Sequence, residues 1–254
     1  MERAPGLEMR AIEENAAELL MAMGAAGGGV QRDDEIARWT IGGSPIDYHN
    51  AVVAGDESVI AESIELMKQY DVPGTWHVGP SMRPADIGKR LLAAGFTDGG
   101  SEPGMAVKLS ELRRPADVPG LEITRIENRN DLDTWEATLG RGFGEGEKEA
   151  RWVAEVYRRL GLDDPWRHYL GFLDGEPVAT TTVFLAAGVA GVYFVMTVPE
   201  VRRRGIGAAI TYTALRQARD VEYAVLGSSE AGRSVYAGLG FEQLCTIDLY
   251  EFHR

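Results

Sequence analysis

The segment VMTVPEVRRRGIGAAI, residues 195–210, constrains the fold more than any other stretch of the sequence. An apolar run typical of a buried strand ends at Val198, Pro199 interrupts it, and a pattern typical of a helix begins near Arg203. Three consecutive arginines therefore lie at the start of a helix, where free N–H groups already carry partial positive charge. Cations are unfavourable there unless an anion shares the site. The segment predicts a strand, an anion-binding turn and a helix.

Two glycines strengthen this prediction. Gly205 and Gly207 fall in the expected first turn, although glycine costs about 1 kcal/mol relative to alanine inside a helix. Without side chains, these positions let a bulky anion such as pyrophosphate reach the backbone N–H groups and the neighbouring guanidinium groups. A solvated basic patch beside a tight turn is the alternative, and the residues alone leave both open.

Other signatures fit this region less well. A dinucleotide-binding turn would need a third glycine where Ile210 stands, and a nucleoside-triphosphate loop would need a Gly-Lys-Ser/Thr sequence that does not follow. The stretch GSSEAG resembles a serine-nucleophile elbow only loosely, because Ala231 stands where that motif requires glycine. Because these three motifs fit poorly, the anion-binding turn remains the better match to the arginines and glycines of this region.

Composition limits the classes of protein. The 254 residues are 44% hydrophobic and 26% charged, as in soluble globular proteins, and the formal net charge of −13 argues against general binding to nucleic acid or anionic membranes. No apolar run reaches the ~18 residues that span a bilayer, and the N-terminal stretch lacks the apolar core of a signal peptide. One cysteine, Cys245, excludes an internal disulfide, and the four histidines are not at metal-ligand spacing. We expect a cytoplasmic protein with no bound metal.

The pattern divides the chain near residues 110–120, which are rich in proline and mixed charge. We predict two domains, 1–112 and 120–254, and for the second a mixed sheet flanked by helices. The predicted strands are 122–126, 168–173, 178–186, 191–198, 222–228 and 244–252, and the predicted helices are 130–141, 147–160, 203–220 and 230–240.

The first domain repeats part of the second at a distance of 145 residues. This shift aligns Val53 with Val198 and ADIGKRLLAAGF (85–96) with EAGRSVYAGLGF (230–241). Where the second copy carries arginines and glycines, the first has Glu57 and Glu62. We interpret the match as a degenerate internal duplication in which only the second copy keeps the anion site. A chance match between two common helix-Gly-Phe endings remains the alternative.

At these two motifs the sequence resembles the GCN5-related N-acetyltransferase (GNAT) family. VMTVPEVRRRGIGAAI is similar to the acetyl-CoA signature, in which a strand ending in V-x-P leads into [R/Q]-x-x-G-x-[G/A]; SSEAGRSVYAGLGF is similar to the second landmark, a helix with a tyrosine four residues before Gly-Phe. The resemblance covers about residues 120–252. It implies an α/β fold, an α+β mixed sheet built as two tandem acyl-CoA N-acyltransferase-like units, with acetyl-CoA as co-substrate.

The resemblance also implies roles for individual residues. The strand end would offer its backbone to the pantetheine arm as an added strand would, the turn would hold the pyrophosphate, and Tyr236 would protonate the departing thiolate. Ser229 stands where many members carry an asparagine that helps to hold the cofactor, which is a departure from the family pattern. The implied cofactor-binding residues are Met196, Thr197, Val198, Arg203, Arg204, Gly205, Ile206, Gly207, Ala208 and Ser229.

The general base is not singled out. Glu145, Glu147 and Glu149 are candidates by their position in the family fold, but alternating glutamates also describe a solvated loop, and Tyr236 also fits a packing role. The implied function is acetyl transfer from acetyl-CoA to a primary amine of a small molecule or peptide. The alternatives are a non-catalytic CoA-binding sensor or scaffolding module and a nucleotide-dependent transferase. The sequence does not indicate an oligomeric state.

Overall fold

The computed structural model describes residues 5–218 and 220–253. Over these residues the chain forms seven helices and eleven strands, and three short 3₁₀ turns at Asp47–His49, Leu109–Glu111 and Pro199–Val201. In the first part of the chain the elements are α1 (Pro5–Gly27), β1 (Val30–Asp33), β2 (Arg38–Ile41), β3 (Ala51–Ala54), α2 (Ser58–Tyr70), β4 (Gly74–Val78), α3 (Ile87–Ala93) and β5 (Thr97–Lys108). They are followed by β6 (Leu121–Arg125), α4 (Arg129–Leu139), α5 (Glu147–Leu160), β7 (Trp166–Leu173), β8 (Glu176–Ala186), β9 (Val189–Thr197), α6 (Ile206–Leu215), β10 (Tyr223–Gly227), α7 (Arg233–Gly238) and β11 (Glu242–Phe252).

Contacts divide these elements into two compact units. The major unit contains residues 5–16 and Gly104–Leu244, and the minor unit contains residues Ala17–Pro103 and 245–253. The domains expected from the sequence, 1–112 and 120–254, are each continuous, whereas both compact units combine two separate parts of the chain. The difference arises at the ends, because α1 is divided between the units and most of β11 belongs to the minor unit.

The major unit is built on a mixed sheet in the order β5–β10–β9–β8–β7–β6. β9 and β10 are parallel, and the other neighbouring pairs are antiparallel. α4 packs against α5 and β8, while α6 packs against β6 to β9. Aromatic side chains from α4, α5 and the sheet, among them Trp135 and Tyr157, are fully buried between these layers. The predicted mixed α/β architecture is confirmed.

The predicted helix at 203–220 is shorter than expected. α6 begins at Ile206 because Arg203 and Gly205 have φ angles of +62° and +84°, in the left-handed region, which a right-handed helix does not contain. The three arginines therefore lie in the turn that precedes the helix, and Gly205 is its N-cap residue. Gly207 does lie in the first turn, as expected.

The minor unit has the strand order β1–β2–β3–β4–β11–β5, with residues 97–103 of β5 at one end. Its core lies around Trp76, whose indole N–H donates to Ser63 Oγ at 3.1 Å, and includes Met67, Leu91 and Phe96. The run β3-α2-β4-α3-β5 has the same element order as β9-α6-β10-α7-β11, and in both runs the first two strands are parallel. This equivalence supports the interpretation of an internal duplication.

The last strands of the two runs are exchanged. β11, which follows α7, pairs antiparallel with β4 of the minor unit, and β5, which follows α3, pairs antiparallel with β10 of the major unit. The exchange explains why the minor unit combines residues Ala17–Pro103 with the end of β11, whereas the major unit is discontinuous because it includes the first part of α1. As for membranes, none of the helices over the described residues is both long and apolar enough to span a bilayer.

Candidate functional site

The strand that leads into the arginine turn separates from its parallel neighbour. Within the described residues β9 pairs with β10 only at Ala190 and Gly191, although β9 continues to Thr197 and remains paired with β8 as far as that residue. Residues 193–197 of β9 therefore present an open backbone edge on the side of β10. An extended chain can add to such an edge by hydrogen bonding to the backbone. The predicted residues Met196 and Thr197 belong to this segment.

A bulge marks the place where β9 opens. Phe194 has a φ angle of +52°, and the register between β8 and β9 shifts between Thr180 and Thr182. Thr180 Oγ1 donates to the Phe194 carbonyl at 2.9 Å, which holds the bulge from the β8 side. Bulges bend a strand and increase its local twist. The bend directs residues 195–198 away from the path that β10 follows.

Of the three arginines, Arg202 uses its side chain in hydrogen bonds within the protein. Its Nε donates to the Thr197 carbonyl at 2.9 Å, and its Nη2 donates to the Gly142 carbonyl at 3.0 Å. These bonds connect the end of β9 to the segment between α4 and α5. Val198, which the resemblance placed at the pantetheine arm, donates its N–H to the Val178 carbonyl at 2.9 Å and has a buried side chain. Arg202 and Val198 thus fix the start of the turn.

The other two arginines are open to a ligand. Arg203 and Arg204 are exposed, and their side chains make no ion pair or hydrogen bond with other described residues. Arg203 adopts its left-handed conformation without being glycine, a costly backbone geometry that is concentrated at functional sites. Two unpaired guanidinium groups beside a helix start form the positive patch that the sequence predicted.

The helix start provides the N–H groups. Ala209 is the first residue of α6 whose N–H bonds back along the helix, to the Gly205 carbonyl at 3.0 Å, so the N–H groups of Ile206, Gly207 and Ala208 project from the helix end. A Cβ added at Gly207 would meet only Thr197 Oγ1, at 3.6 Å, which is an ordinary contact. Packing within the described protein therefore does not require glycine at this position, whereas the φ angle of Gly205 does.

Tyr236 lies on α7, which begins beyond the carboxyl end of β10 and contacts α6. Because β9 and β10 are parallel, the arginine turn and the start of α7 lie at the same edge of the sheet. The half-buried Tyr236 ring packs edge-on against Phe241, with ring centroids 5.9 Å apart. Burial raises the pKa of Tyr236 to about 12, so the hydroxyl is protonated at neutral pH. It has no hydrogen-bond partner among the described residues and is available as a donor.

Ser229 lies in the turn that precedes α7 and accepts hydrogen bonds from residues of that turn. Its exposed side-chain oxygen accepts the N–H of Gly232 at 3.2 Å, and its carbonyl accepts the N–H groups of Gly232 and Arg233 and the hydroxyl of Ser228. A hydroxyl that accepts one hydrogen bond keeps its own proton to donate. Ser229 can therefore still offer a donor at this edge, in the place of the asparagine of many GNAT proteins.

The three candidate glutamates have different environments. Glu149 is fully buried, and its carboxylate accepts the N–H of Glu145 at 2.9 Å, so it shapes the loop before α5. Glu145 is exposed and pairs with Lys148 at 2.6 Å. Glu147 is exposed at the first turn of α5 and lines a groove of about 420 Å³ between α4 and α5. Of the three, Glu147 is the one that lines this groove.

A buried polar cluster beside the bulge was missed by sequence reasoning. His168 Nδ1 lies 2.9 Å from Thr182 Oγ1, and the Tyr157 ring lies 4.1 Å from the imidazole ring. Burial lowers the pKa of His168 to about 3 and raises the pKa of Tyr157, so both side chains are neutral. Phe194 packs edge-on against Tyr157 on the same side. Consecutive threonines in the buried strand β8 were the available sequence signal for this cluster.

Asn15 of α1 is a second residue that the sequence did not indicate. It is fully buried in the major unit; its Nδ2 donates to the Ala186 carbonyl at 2.9 Å, and its Oδ1 accepts the Tyr193 hydroxyl at 2.6 Å. A Cβ at Gly191 would overlap this amide, so the glycine provides its space. The amide fastens α1 to the β8–β9 hairpin, directly before the bulge.

Residues 109–228 match the family described as Acetyltransferase (GNAT) domain. The chain is also 28% identical over 216 residues to the mycothiol acetyltransferase of Thermobispora bispora, an alignment that covers 68% of this chain and 72% of that protein. The part of the chain at residues 109–228 is therefore a GNAT acetyltransferase domain. The matched residues of this acetyltransferase include the arginine turn, whereas Ser229 and Tyr236 follow them.

Solved structures agree with this assignment at the level of the fold. A GCN5-related N-acetyltransferase from Kribbella flavida superposes with a TM-score of 0.70 at 19% identity, over 94% of this chain and 96% of that one. A tandem GNAT protein from the clavulanic acid biosynthesis pathway gives 0.55 at 18% identity, over 77% of this chain and 68% of that one. The predicted resemblance to GNAT proteins, the fold class and the acetyltransferase activity are confirmed. GNAT acetyltransferases generally use acetyl-CoA.

Proposed function

We propose that this GNAT acetyltransferase binds acetyl-CoA in the major unit and transfers the acetyl group to a primary amine. The observation that carries the proposal is the opening of β9 from β10 next to the arginine turn. The open backbone of Met196 and Thr197 would pair with the amides of the pantetheine arm. The N–H groups of residues 206–208 and the side chains of Arg203 and Arg204 would hold the pyrophosphate.

The chemistry needs one acid and one base. The neutral amine nitrogen attacks the thioester carbonyl carbon, a C–N bond forms, the C–S bond breaks, and the thiolate of CoA leaves. The Tyr236 hydroxyl, which is protonated at neutral pH as that of any tyrosine with an ordinary or raised pKa is, would give its proton to that thiolate and recover one from solvent. The proton of the amine would pass to water or to Glu147, the exposed glutamate at the groove.

The acceptor belongs to the proposal and is not identified. The name of the Thermobispora relative makes mycothiol-related amines the first acceptors to test. Polyamines, aminoglycosides, amino acids and peptide N-termini complete a panel of primary amines. The experiment incubates the purified full chain with acetyl-CoA and each amine and follows the release of free thiol. We expect release that depends on both substrates.

The same experiment separates the alternatives. A CoA-binding sensor would bind acetyl-CoA in calorimetry without thiol release for any amine in the panel. A nucleotide-dependent transferase would be stabilised against heat by ATP or GTP and not by CoA. Absence of CoA binding would contradict the proposed site itself, because the open strand edge and the unpaired arginines would then have another purpose.

A further inference from the structure

Two of the four histidines, His49 and His77, lie beside the turn that carries Asp47 in the minor unit, although nothing in their sequence spacing indicates it. His77 on β4 has its Nε2 3.0 Å from the Tyr48 carbonyl, and the ring of Tyr48 lies 4.4 Å from that of the buried His49. The charge of Asp47 acts on His77, and His77 in turn acts on His49. The third histidine, His253, follows directly after β11.

The outer part of this region contains three potential metal ligands. Asp47, Glu251 and His253 each place one ligand atom within 4.8 Å of the other two. His253 Nε2 lies 3.1 Å from Glu251 Oε2. Asp47 and Glu251 are half-buried, and His253 is exposed. The arrangement therefore faces solvent on one side and is supported by the protein on the other.

The surrounding backbone fits these side chains. Glu251 pairs with Thr75 across the β4–β11 ladder, and two residues further along Leu249 pairs with His77, so Glu251 and His77 lie on the same face of the sheet. A Cβ at Gly99 would come within 2.6 Å of Glu251 Oε1, so the glycine leaves the space that this carboxylate occupies. The contact between His77 and the Tyr48 carbonyl holds the turn that carries Asp47.

We propose that Asp47, Glu251 and His253 bind a divalent transition-metal ion, for which Zn²⁺ is the best match. Two carboxylate oxygens and one imidazole nitrogen are ligands that Zn²⁺ accepts, whereas Ca²⁺ and Mg²⁺ prefer oxygen alone. Zn²⁺ bonds of about 2.0 to 2.2 Å in tetrahedral geometry place neighbouring ligand atoms about 3.3 to 3.6 Å apart, which small side-chain rotations reach from the observed positions. Water would complete the coordination.

The ion would connect the turn before β3 to the end of the last strand, both within the minor unit. Its role would be to hold β11 in place, because Glu251 and His253 stand at the end of that strand. This proposal is independent of acetyl transfer, since none of the three ligands belongs to the acetyl-CoA site. Failure of one proposal therefore leaves the other unaffected.

The test uses the untagged full chain after removal of metal with a chelator. Zn²⁺ alone is added in calorimetry, and Co²⁺ in a parallel visible-absorption titration. We expect one equivalent to bind at micromolar concentration or below and Zn²⁺ to raise the melting temperature. Glu251→Gln and His253→Gln should each weaken binding at least about 10-fold, the lower end of what is seen even for residues behind the ligands.

Two further variants make the test specific. Glu242→Gln removes an exposed carboxylate from the same strand and should leave Zn²⁺ binding unchanged. Gly99→Ala keeps all three ligands but displaces the Glu251 carboxylate, and it should also weaken binding. Binding weaker than millimolar, or ligand variants that behave like Glu242→Gln, would overturn the proposal. The cluster would then be an ion pair between Glu251 and His253 beside Asp47.

Discussion

Gly207 distinguishes between the two explanations for a glycine at the start of α6. If the position serves only the turn, a side chain should be tolerated, because a Cβ there meets only an ordinary contact. If it serves pyrophosphate, Gly207→Glu should abolish CoA binding by placing bulk and negative charge in the path of the anion, while the melting temperature stays near that of the parent. Calorimetry with CoA measures the first effect, and thermal unfolding the second.

A matched control for this variant is Gly238→Glu. Gly238 is an exposed glycine on α7 with open space around its Cα, so the substitution adds the same charge to a helix without a proposed anion. It should keep CoA affinity within about 3-fold, which corresponds to less than 1 kcal/mol. Equal CoA affinity in Gly207→Glu and the parent protein would remove the pyrophosphate from this turn.

Tyr236 should affect turnover rather than binding. Tyr236→Phe removes one hydroxyl that has no partner among the described residues, so folding and CoA affinity should be kept while kcat falls about 10² to 10⁴-fold, the usual contribution of a general acid. The assay is steady-state thiol release with an accepted amine under conditions where chemistry limits the rate. Full turnover by this variant would make Tyr236 a packing residue against Phe241.

His168 should make stability depend on pH. Burial lowers its pKa from the ordinary 6.5 to about 3, so between these values the unfolded chain binds a proton that the folded protein does not. The free energy of unfolding should therefore fall by about 1.4 kcal/mol per pH unit from this group as pH decreases from 6 to 4, and level off above 6.5. Urea unfolding of the parent and of His168→Gln at several pH values measures this pH dependence. An equal slope of the free energy of unfolding against pH in both proteins would contradict the role of His168.

The contact between α1 and the β8–β9 hairpin is the clearest test at the level of elements. Asn15→Ala removes hydrogen bonds to two carbonyls and to the Tyr193 hydroxyl, and should cost about 2 to 4 kcal/mol, given about 1 kcal/mol for each bond and the burial of the unpaired groups. Tyr193→Phe removes one of these bonds and should cost about 1 kcal/mol. Urea unfolding measures both. Equal free-energy costs for the two variants would mean that the Asn15 amide stabilises the protein only through its bond with the Tyr193 hydroxyl.

The elements themselves were largely predictable. α5 has the predicted bounds, Glu147–Leu160, because its apolar and charged residues alternate with the period of a helix and a glycine follows its last residue. The start of α6 was not predictable, since the left-handed conformation of Arg203 belongs to the turn and has no sequence signature. The anion-binding turn was proposed from the sequence because its glycines and arginines are neighbours there. Asn15 and Glu251 were not, because their partners are distant in sequence.

Only the major unit should bind CoA, with a stoichiometry of one per chain. In the minor unit the start of α2 already has an internal anion: Asp56 accepts hydrogen bonds from the hydroxyl and the N–H of Ser58, which lower its pKa, and Glu57 pairs with Arg90. Calorimetry with CoA gives the stoichiometry. A stoichiometry near two CoA per chain in the parent and near one in Gly207→Glu would show that the minor unit also binds CoA.

The exchange of the last strands sets the order in which the chain can fold during synthesis on the ribosome. β4 ends at Val78, but its partner β11 begins only at Glu242, more than 160 residues later in the chain. One edge of β4 therefore stays unpaired until β11 has been translated, and unpaired strand edges of this kind promote aggregation. The major unit completes its sheet earlier, since β10 finds β5 already translated. The nascent chain should thus need protection at the minor unit until β11 has been translated.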